Sequence, residues 1–215
     1  MISLEERTRR NDVVRRSWAK QASRYDRSMD FFERRIFGAD HRAWAVSRAR
    51  GRTLEVGIGT GLDLPLYAAD LELYGIDLSP EMLAIARERA GALGRGVHLR
   101  VGDAHELPYE SENFDTVLSI YTLCNVPDHA LAIKEMKRVL RPEGRLILVD
   151  HVRSSVAPIF WLQKLVEFFS LRLQSETQTR RPLEQVHQAG FAVIERERMR
   201  AGVVERLVAV KESDV

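Results

Sequence analysis

Residues 53–61, Thr-Leu-Glu-Val-Gly-Ile-Gly-Thr-Gly, run from a short apolar segment into three glycines at alternating positions. Few backbone arrangements satisfy that pattern. An apolar run of this length reads as a buried strand, and glycine turns the chain at positive φ and admits a neighbour where a Cβ would collide. The segment therefore predicts a strand that ends in a tight loop holding some group close to the main chain. The spacing Gly-x-Gly-x-x-Gly that suits a pyrophosphate is not met, because its last position is Leu62. Glu55 stands just ahead of the loop, and no Lys or Arg occurs from Glu55 through Tyr67. That setting suits a partner carrying positive charge, such as an amino group or a sulfonium.

Two more stations repeat the theme. Leu73-Tyr74-Gly75-Ile76-Asp77 ends in a carboxylate twenty residues after Gly57, where the ribose hydroxyls of a nucleotide-type ligand need a bidentate acceptor. Leu78-Ser79-Pro80-Glu81 then opens a helix with Ser79 as N-cap and Pro80 in its first turn. Leu78 and Met82 are thereby placed to close on an adenine face, with core packing the competing role for Met82. A third strand, from Val97, reaches Asp103, an acceptor for an adenine amino group. Glu55, Asp77 and Asp103 then converge at the carboxyl edge of one parallel sheet, where open α/β folds bind ligands.

Glu-x-Gly-x-Gly-x-Gly at 55–61, Gly-Ile-Asp-Leu-Ser at 75–79, Gly-Asp-Ala at 102–104 and Leu-Arg-Pro-x-Gly at 140–144 resemble the class I S-adenosylmethionine-dependent methyltransferases, over residues 25–150. Tyr25-Asp26, Phe114-Asp115, Asn125-Val126 and Arg138-Val139-Leu140-Arg141-Pro142 are similar to the branch of ubiquinone/menaquinone C-methyltransferases and small bacterial phospholipid N-methyltransferases. That family usually has Gly where Glu143 stands. The resemblance implies S-adenosylmethionine as cofactor. It places Glu55 and the loop Gly57, Gly59, Thr60 and Gly61 at the methionine portion, with Thr60 near its carboxylate. Asp77 falls at the ribose, Asp103 with the Ala104 amide at the adenine, and Ile120 beside the sulfonium through its backbone. Tyr25 occupies the family's gate position and is the first candidate on the acceptor side, in contact with both cofactor and nucleophile. Tyr121 comes next, then His151 as a proton acceptor following Asp150.

The fold class is α/β. Strands at 53–57, 72–77, 97–101, 114–120 and 145–149 alternate with helices near 61–68, 80–93 and 128–140, the last ended by Pro142 and Gly144. Alternation predicts a parallel sheet with helices on both faces. Phe191–Met199 and Val203–Val210, joined by Arg200-Ala201-Gly202, predict an antiparallel C-terminal hairpin. The whole resembles the seven-stranded, Rossmann-like, mostly parallel methyltransferase sheet. Residues 1–50 read as a helical N-terminal lid with a Val13, Val14, Trp18, Ala22, Tyr25 stripe, and residues 51–215 as the methyltransferase domain.

An apolar helical insertion spans 156–175. Lys164, Glu167 and Arg172 interrupt it and Pro158 shortens it, so it is too short and charged to span a bilayer. It forms a substrate wall or lies at a membrane surface, and Phe160, Trp161, Phe168 and Phe169 need cover there. Arg153, Arg172, Arg180 and Arg181 flank it as candidate phosphate ligands, so Arg153, Phe160, Trp161 and Arg180 are the candidate substrate-binding residues. The formal charge of +2 is uneven: residues 1–52 carry fourteen Arg and Lys against seven Asp and Glu, a basic segment suited to an anionic membrane.

Cys124 is the single cysteine, so no disulfide forms within the chain and a reducing, cytoplasmic setting is expected, extending to the inner membrane surface. No signal peptide is read at the start. His41, His98, His105, His129 and His187 have no metal-ligand spacing, and no metal is expected. The leading expectation is N-methylation of a phospholipid amine such as phosphatidylethanolamine. The alternatives are C-, O- or S-methylation of a quinone precursor, lipophilic small molecule or thiol, and a nucleic-acid-binding methyltransferase-like module. The last is disfavoured because few aromatics interleave the basic stretch and no Asn/Asp-Pro-Pro-Tyr tetrapeptide occurs.

Overall fold

The computed structural model describes residues 2–38, 40–173 and 180–212. Its strands are β1 (Arg52–Val56), β2 (Glu72–Asp77), β3 (His98–Val101), β4 (Phe114–Ile120), β5 (Leu140–His151), β6 (Phe191–Met199) and β7 (Val204–Lys211). They form one sheet in the order β3-β2-β1-β4-β5-β7-β6. The first five strands of that order are parallel. β7 runs antiparallel between β5 and β6, as the hairpin pattern predicts. Its turn holds Arg200, Ala201 and Gly202 at positive φ. The chain leaves β1 toward β2 and β3, then returns to β4 on the other side of β1, so the order reverses between β1 and β4. A crevice opens at the carboxyl ends of strands at such a reversal.

The central strands read as continuous apolar runs because both faces are covered. On one face, Leu54, Val56 and Ile76 pack with Ile133 and Met136 of α4 (His129–Val139) and Val186 of α6 (Pro182–Gln188). On the other, Leu118 and Ile120 meet Leu83 of α3 (Pro80–Ala92) and Trp44 and Ala45 of α2 (His41–Val46). Caps set the helix starts. Ser79 Oγ accepts from the Met82 amide at 3.3 Å, and Asp128 Oδ1 accepts from the Leu131 amide at 3.1 Å.

Three details differ from expectation. The helix near 61–68 is only a 3-10 turn, Leu64–Leu66, because Gly61 sits at φ 74° and Leu64 folds back against it. α4 stops at Val139, since Leu140 already pairs with Phe114 as the start of β5. The helical start is in pieces: α1 (Leu4–Phe32), a π turn at Glu33–Phe37, then α2 beyond Gly38 at φ 109°.

A buried polar network supports the glycine loop from below. Tyr67 Oη donates to Glu55 Oε2 at 2.9 Å. Burial, with the charge of Asp63 beside it, pushes the Glu55 carboxyl well above the usual range. Arg42 Nη1 donates to Asp63 Oδ2 at 2.8 Å, and its Nε donates to Glu33 Oε1 at 2.6 Å. Arg42 is thus the counter-charge of a buried acidic cluster. Removing it in Arg42→Ala is expected to cost about 3–5 kcal/mol of unfolding free energy, read by denaturant titration; a loss under about 1 kcal/mol contradicts this role. Glu143 holds φ 60° in the turn before the long part of β5. Glu143→Gly is expected to gain up to about 1 kcal/mol in the same assay, relief of the left-handed penalty outweighing the entropy of glycine.

Candidate active site

At the carboxyl ends of β1, β2 and β4, beneath α1, lies a cleft with ≈ 700 Å³ of empty space counting its open mouth. Its floor depends on a close approach. A Cβ on Gly57 would lie 2.3 Å from the Thr122 side chain, and Gly57 has φ 78°, so only glycine lets the loop after β4 rest on the loop after β1. Asp77 ties the next seam: one carboxylate oxygen accepts the Gly59 amide at 2.9 Å and the other the Ser79 amide at 2.8 Å. Each oxygen keeps a lone pair for a ligand hydroxyl. Burial pushes the Asp77 carboxyl up, while the Ser79 and Gly59 amides oppose that shift.

The third station is held by a residue outside the sequence-based set. His105 Nε2 accepts the Asp128 amide at 3.1 Å, so its proton sits on Nδ1 and points at Asp103 Oδ1, 2.5 Å away. Burial alone would raise the Asp103 carboxyl, but the His105 bonds hold it below the usual range. Asp103 Oδ2 accepts from Asn11 Nδ2 of α1 at 2.7 Å.

α1 roofs the cleft with Asn11, Val14, Trp18 and Tyr25, a stripe along one helix face. Asp26 fastens it: Thr60 Oγ1 donates to Asp26 at 2.7 Å, and Arg89 of α3 bonds both Asp26 and the Thr60 carbonyl. Tyr25 packs edge-on against Trp18, centroids 5.5 Å apart, and its enclosure pushes the phenol up to about 12. Tyr121 is held at φ 53°, uncommon for a bulky residue, with its amide donating to the Val149 carbonyl at 2.7 Å. Burial raises its phenol far above the ordinary value. Both rings therefore carry their hydroxyl protons at neutral pH and act as donors.

Of the sequence candidates, Tyr25, Gly57, Gly59, Asp77, Leu78, Met82, Asp103, Ala104 and Tyr121 line this cleft together. The side chains of the others lie elsewhere. Glu55 is 1% exposed and faces the network below the loop. Thr60 is turned to Asp26, and Gly61 is filled over by Leu64. The Ile120 side chain joins the core. His151 is 6% exposed and packed between Phe37 and Tyr121, with centroids 4.1 and 4.7 Å away. Burial, then the nearby His41, push its imidazole down to about 3, so it is uncharged at neutral pH and a poor base toward the cleft. Arg180 Nη1 is spent on the carbonyls of Leu123 and Val126. Arg153 lies over the Phe160 ring at 4.2 Å. Trp161, 69% exposed, stands on the outside of α5 (Ala157–Leu173). The side chains of Phe168, Phe169 and Arg172, and residues 174 and 175 of the insertion, lie outside the described residues.

Asn11, His105, Thr122 and Asn125 were not legible as cleft residues. Only the Asn125-Val126 pair carried a family signal, and contacts across 92 residues, as for Asn11 and Asp103, leave no local pattern.

S-adenosylmethionine fits this donor set. Asp77 and Asp103 are the charged side chains among the described residues of the lining, with no Lys or Arg, as a cationic ligand requires. A Cβ on Gly59 would meet only Tyr25 Cε1, at 3.9 Å, so the loop leaves open space toward the cleft. Tyr121 Oη and Asn125 Oδ1, both on the lining, have no partner within the chain.

Comparison with known proteins agrees with this geometry. Residues 54–148 match a family described as a methyltransferase domain. Phosphatidylethanolamine N-methyltransferase of Cereibacter sphaeroides is 37% identical over 162 residues, covering 74% of this chain and 77% of that protein. Demethylmenaquinone methyltransferase of Deinococcus radiodurans is 34% identical over 147 residues, covering 66% of this chain and 61% of that protein. A solved SAM-dependent methyltransferase from Thermotoga maritima has the same fold, with a TM-score of 0.71 at 24% identity over 92% of this chain and 99% of that one. The charge, the glycine cradle and the relatives converge: this chain belongs to the S-adenosylmethionine-dependent methyltransferases, and S-adenosylmethionine is its cofactor.

Proposed function

We propose that this methyltransferase N-methylates a phospholipid amine, with phosphatidylethanolamine as the representative acceptor, while resting on the surface of an anionic membrane at its cytoplasmic side. The observation that carries this reading is the outer face of α5. Trp161, Leu162 and Leu165 are 69%, 59% and 56% exposed there, an apolar stripe that water alone covers poorly. Arg153 stands beside it on Phe160, and no described helix is long and apolar enough to cross a membrane. The basic first fifty-two residues add attraction to anionic headgroups.

In this reading Asp77 holds the ribose hydroxyls, Asp103 and the Ala104 amide read the adenine, Leu78 and Met82 cover its faces, and Gly57 and Gly59 admit the methionine portion. α1 is the lid over them. When bound, the cofactor supplies an electrophilic methyl group on sulfur, displaced in line with the thioether as leaving group. The chain aligns the acceptor and excludes water, with the Tyr25 and Tyr121 hydroxyls as donors. With both phenols protonated and His151 buried, the acceptor enters as the free amine and its proton passes to water.

The demethylmenaquinone methyltransferases among the relatives support a second reading, C-methylation of a quinone precursor. Radiolabelled methyl transfer to phosphatidylethanolamine vesicles and to demethylmenaquinone, side by side, separates the two; incorporation only into the quinone overturns the first. Asp77→Ala is expected to weaken S-adenosylmethionine binding by about 2 kcal/mol or more, roughly thirtyfold, in calorimetry on a variant that still melts cooperatively. Unchanged affinity contradicts the ribose assignment. Trp161→Ser with Leu162→Ser is expected to lower turnover on vesicles about tenfold and to leave cofactor affinity as it is. Equal turnover removes α5 from the lipid surface.

A further inference from the structure

Behind the cleft wall, register brings together residues that the sequence separates. β4 and β5 are parallel neighbours with Ile120 opposite Val149. The loop after β4 thus sets Cys124 beside Asp150 and His151 at the end of β5. The thiol sulfur, a carboxylate oxygen and a ring nitrogen all lie within 4.8 Å of one another. All three residues are buried, at 2%, 3% and 6% exposure. Neither ring nitrogen of His151 has a hydrogen-bond partner within the chain, which native interiors rarely tolerate. Asp150 accepts the amides of Cys124 at 3.1 Å and His151 at 2.8 Å, one on each oxygen, and each oxygen retains a lone pair.

We propose that Cys124, Asp150 and His151 bind a divalent metal ion of the zinc class. The donor set is the one such ions select: a thiolate and an imidazole, which suit zinc or cobalt over magnesium or calcium, with a carboxylate as third ligand. Two donors on one tetrahedral zinc lie about 3.3–3.6 Å apart, so the present spread closes with side-chain movements of about 1 Å. Binding exchanges the Cys124 S–H proton for the metal–sulfur bond and releases that proton to solvent. Three protein ligands leave a fourth position for water. The ion ties the loop after β4 to the end of β5. Asn125 Nδ2 donates to Cys124 Sγ at 3.2 Å, and Asn125 lines the cleft, so the metal stiffens the wall against which the acceptor is held.

The competing arrangement balances the Asp150 charge with Arg180, which binds the carbonyls of Leu123 and Val126 nearby, and needs no metal. Chelator-treated, dialysed protein titrated with Zn²⁺ in calorimetry distinguishes them, with Co²⁺ as the spectroscopic probe. One equivalent of metal is expected, together with a thiolate-to-cobalt charge-transfer band in the near ultraviolet and a raised melting temperature. Cys124→Ser is expected to abolish that band, and His151→Gln to weaken binding at least tenfold. S-adenosylmethionine binding by both variants reports that they are folded; should His151→Gln not fold, the cobalt band in Cys124→Ser decides alone. No stoichiometric metal, or binding that survives both substitutions, overturns the site. Neither result bears on the acceptor, which the methyl-transfer assay tests separately.

Discussion

The cleft exists because two loops from neighbouring strands touch at a point where one of them has no side chain. Gly57 lets Thr122 lie against the main chain, and the parallel pairing of β1 with β4 places those residues together. From that contact outward the site assembles by short polar ties. Asp77 joins the glycine loop to the start of α3 through two amides. His105 joins Asp103 to the residue that caps α4. A carboxylate that accepts amides from two segments fixes their separation as well as stabilising both, so the acids that face the ligand are also the ones that hold the sheet edge in shape.

Charge sorts itself into two levels. Asp77 and Asp103 face the cleft, whereas Glu55 and Asp63 lie under the loop, where Arg42 bonds Asp63 and Tyr67 bonds Glu55. The lower level has no access to ligand, yet the loop cannot rest on it if its acids are left unpaired, since burying an uncompensated charge costs several kcal/mol, roughly as much as a small domain can spare. This division explains why a strand acid that reads as a ligand contact serves as support instead.

How much of this was legible in the sequence follows from what each signal encodes. The strands, the reversal point and the acids at their ends were visible because apolar runs, glycines and caps are local. Asp77 and Asp103 could be placed for the same reason. Glu55 could not, because the pleat direction at the end of β1 decides which way it points, and the buried Tyr67 that claims it lies twelve residues on. Arg180 read as a headgroup ligand from its position beside an apolar helix, but carbonyls 54 and 57 residues earlier in the chain take its guanidinium. Tyr121 lines the cleft, but its left-handed backbone has no sequence signal, since nothing in a tyrosine announces positive φ. The 3-10 turn in place of a helix at 64–66 follows from tight glycine geometry that composition does not express.

The roof of the cleft has a practical corollary for anyone who handles this protein. α1 begins at Leu4, capped by Ser3, and by Asn11 it is already bonded to Asp103; at 1.5 Å per residue those eight steps span only about 12 Å. Any segment joined ahead of Ser3 therefore stands about two helical turns from Asp103, and deletion of the first two dozen residues removes Asn11, Val14 and Trp18 from the lining of the pocket.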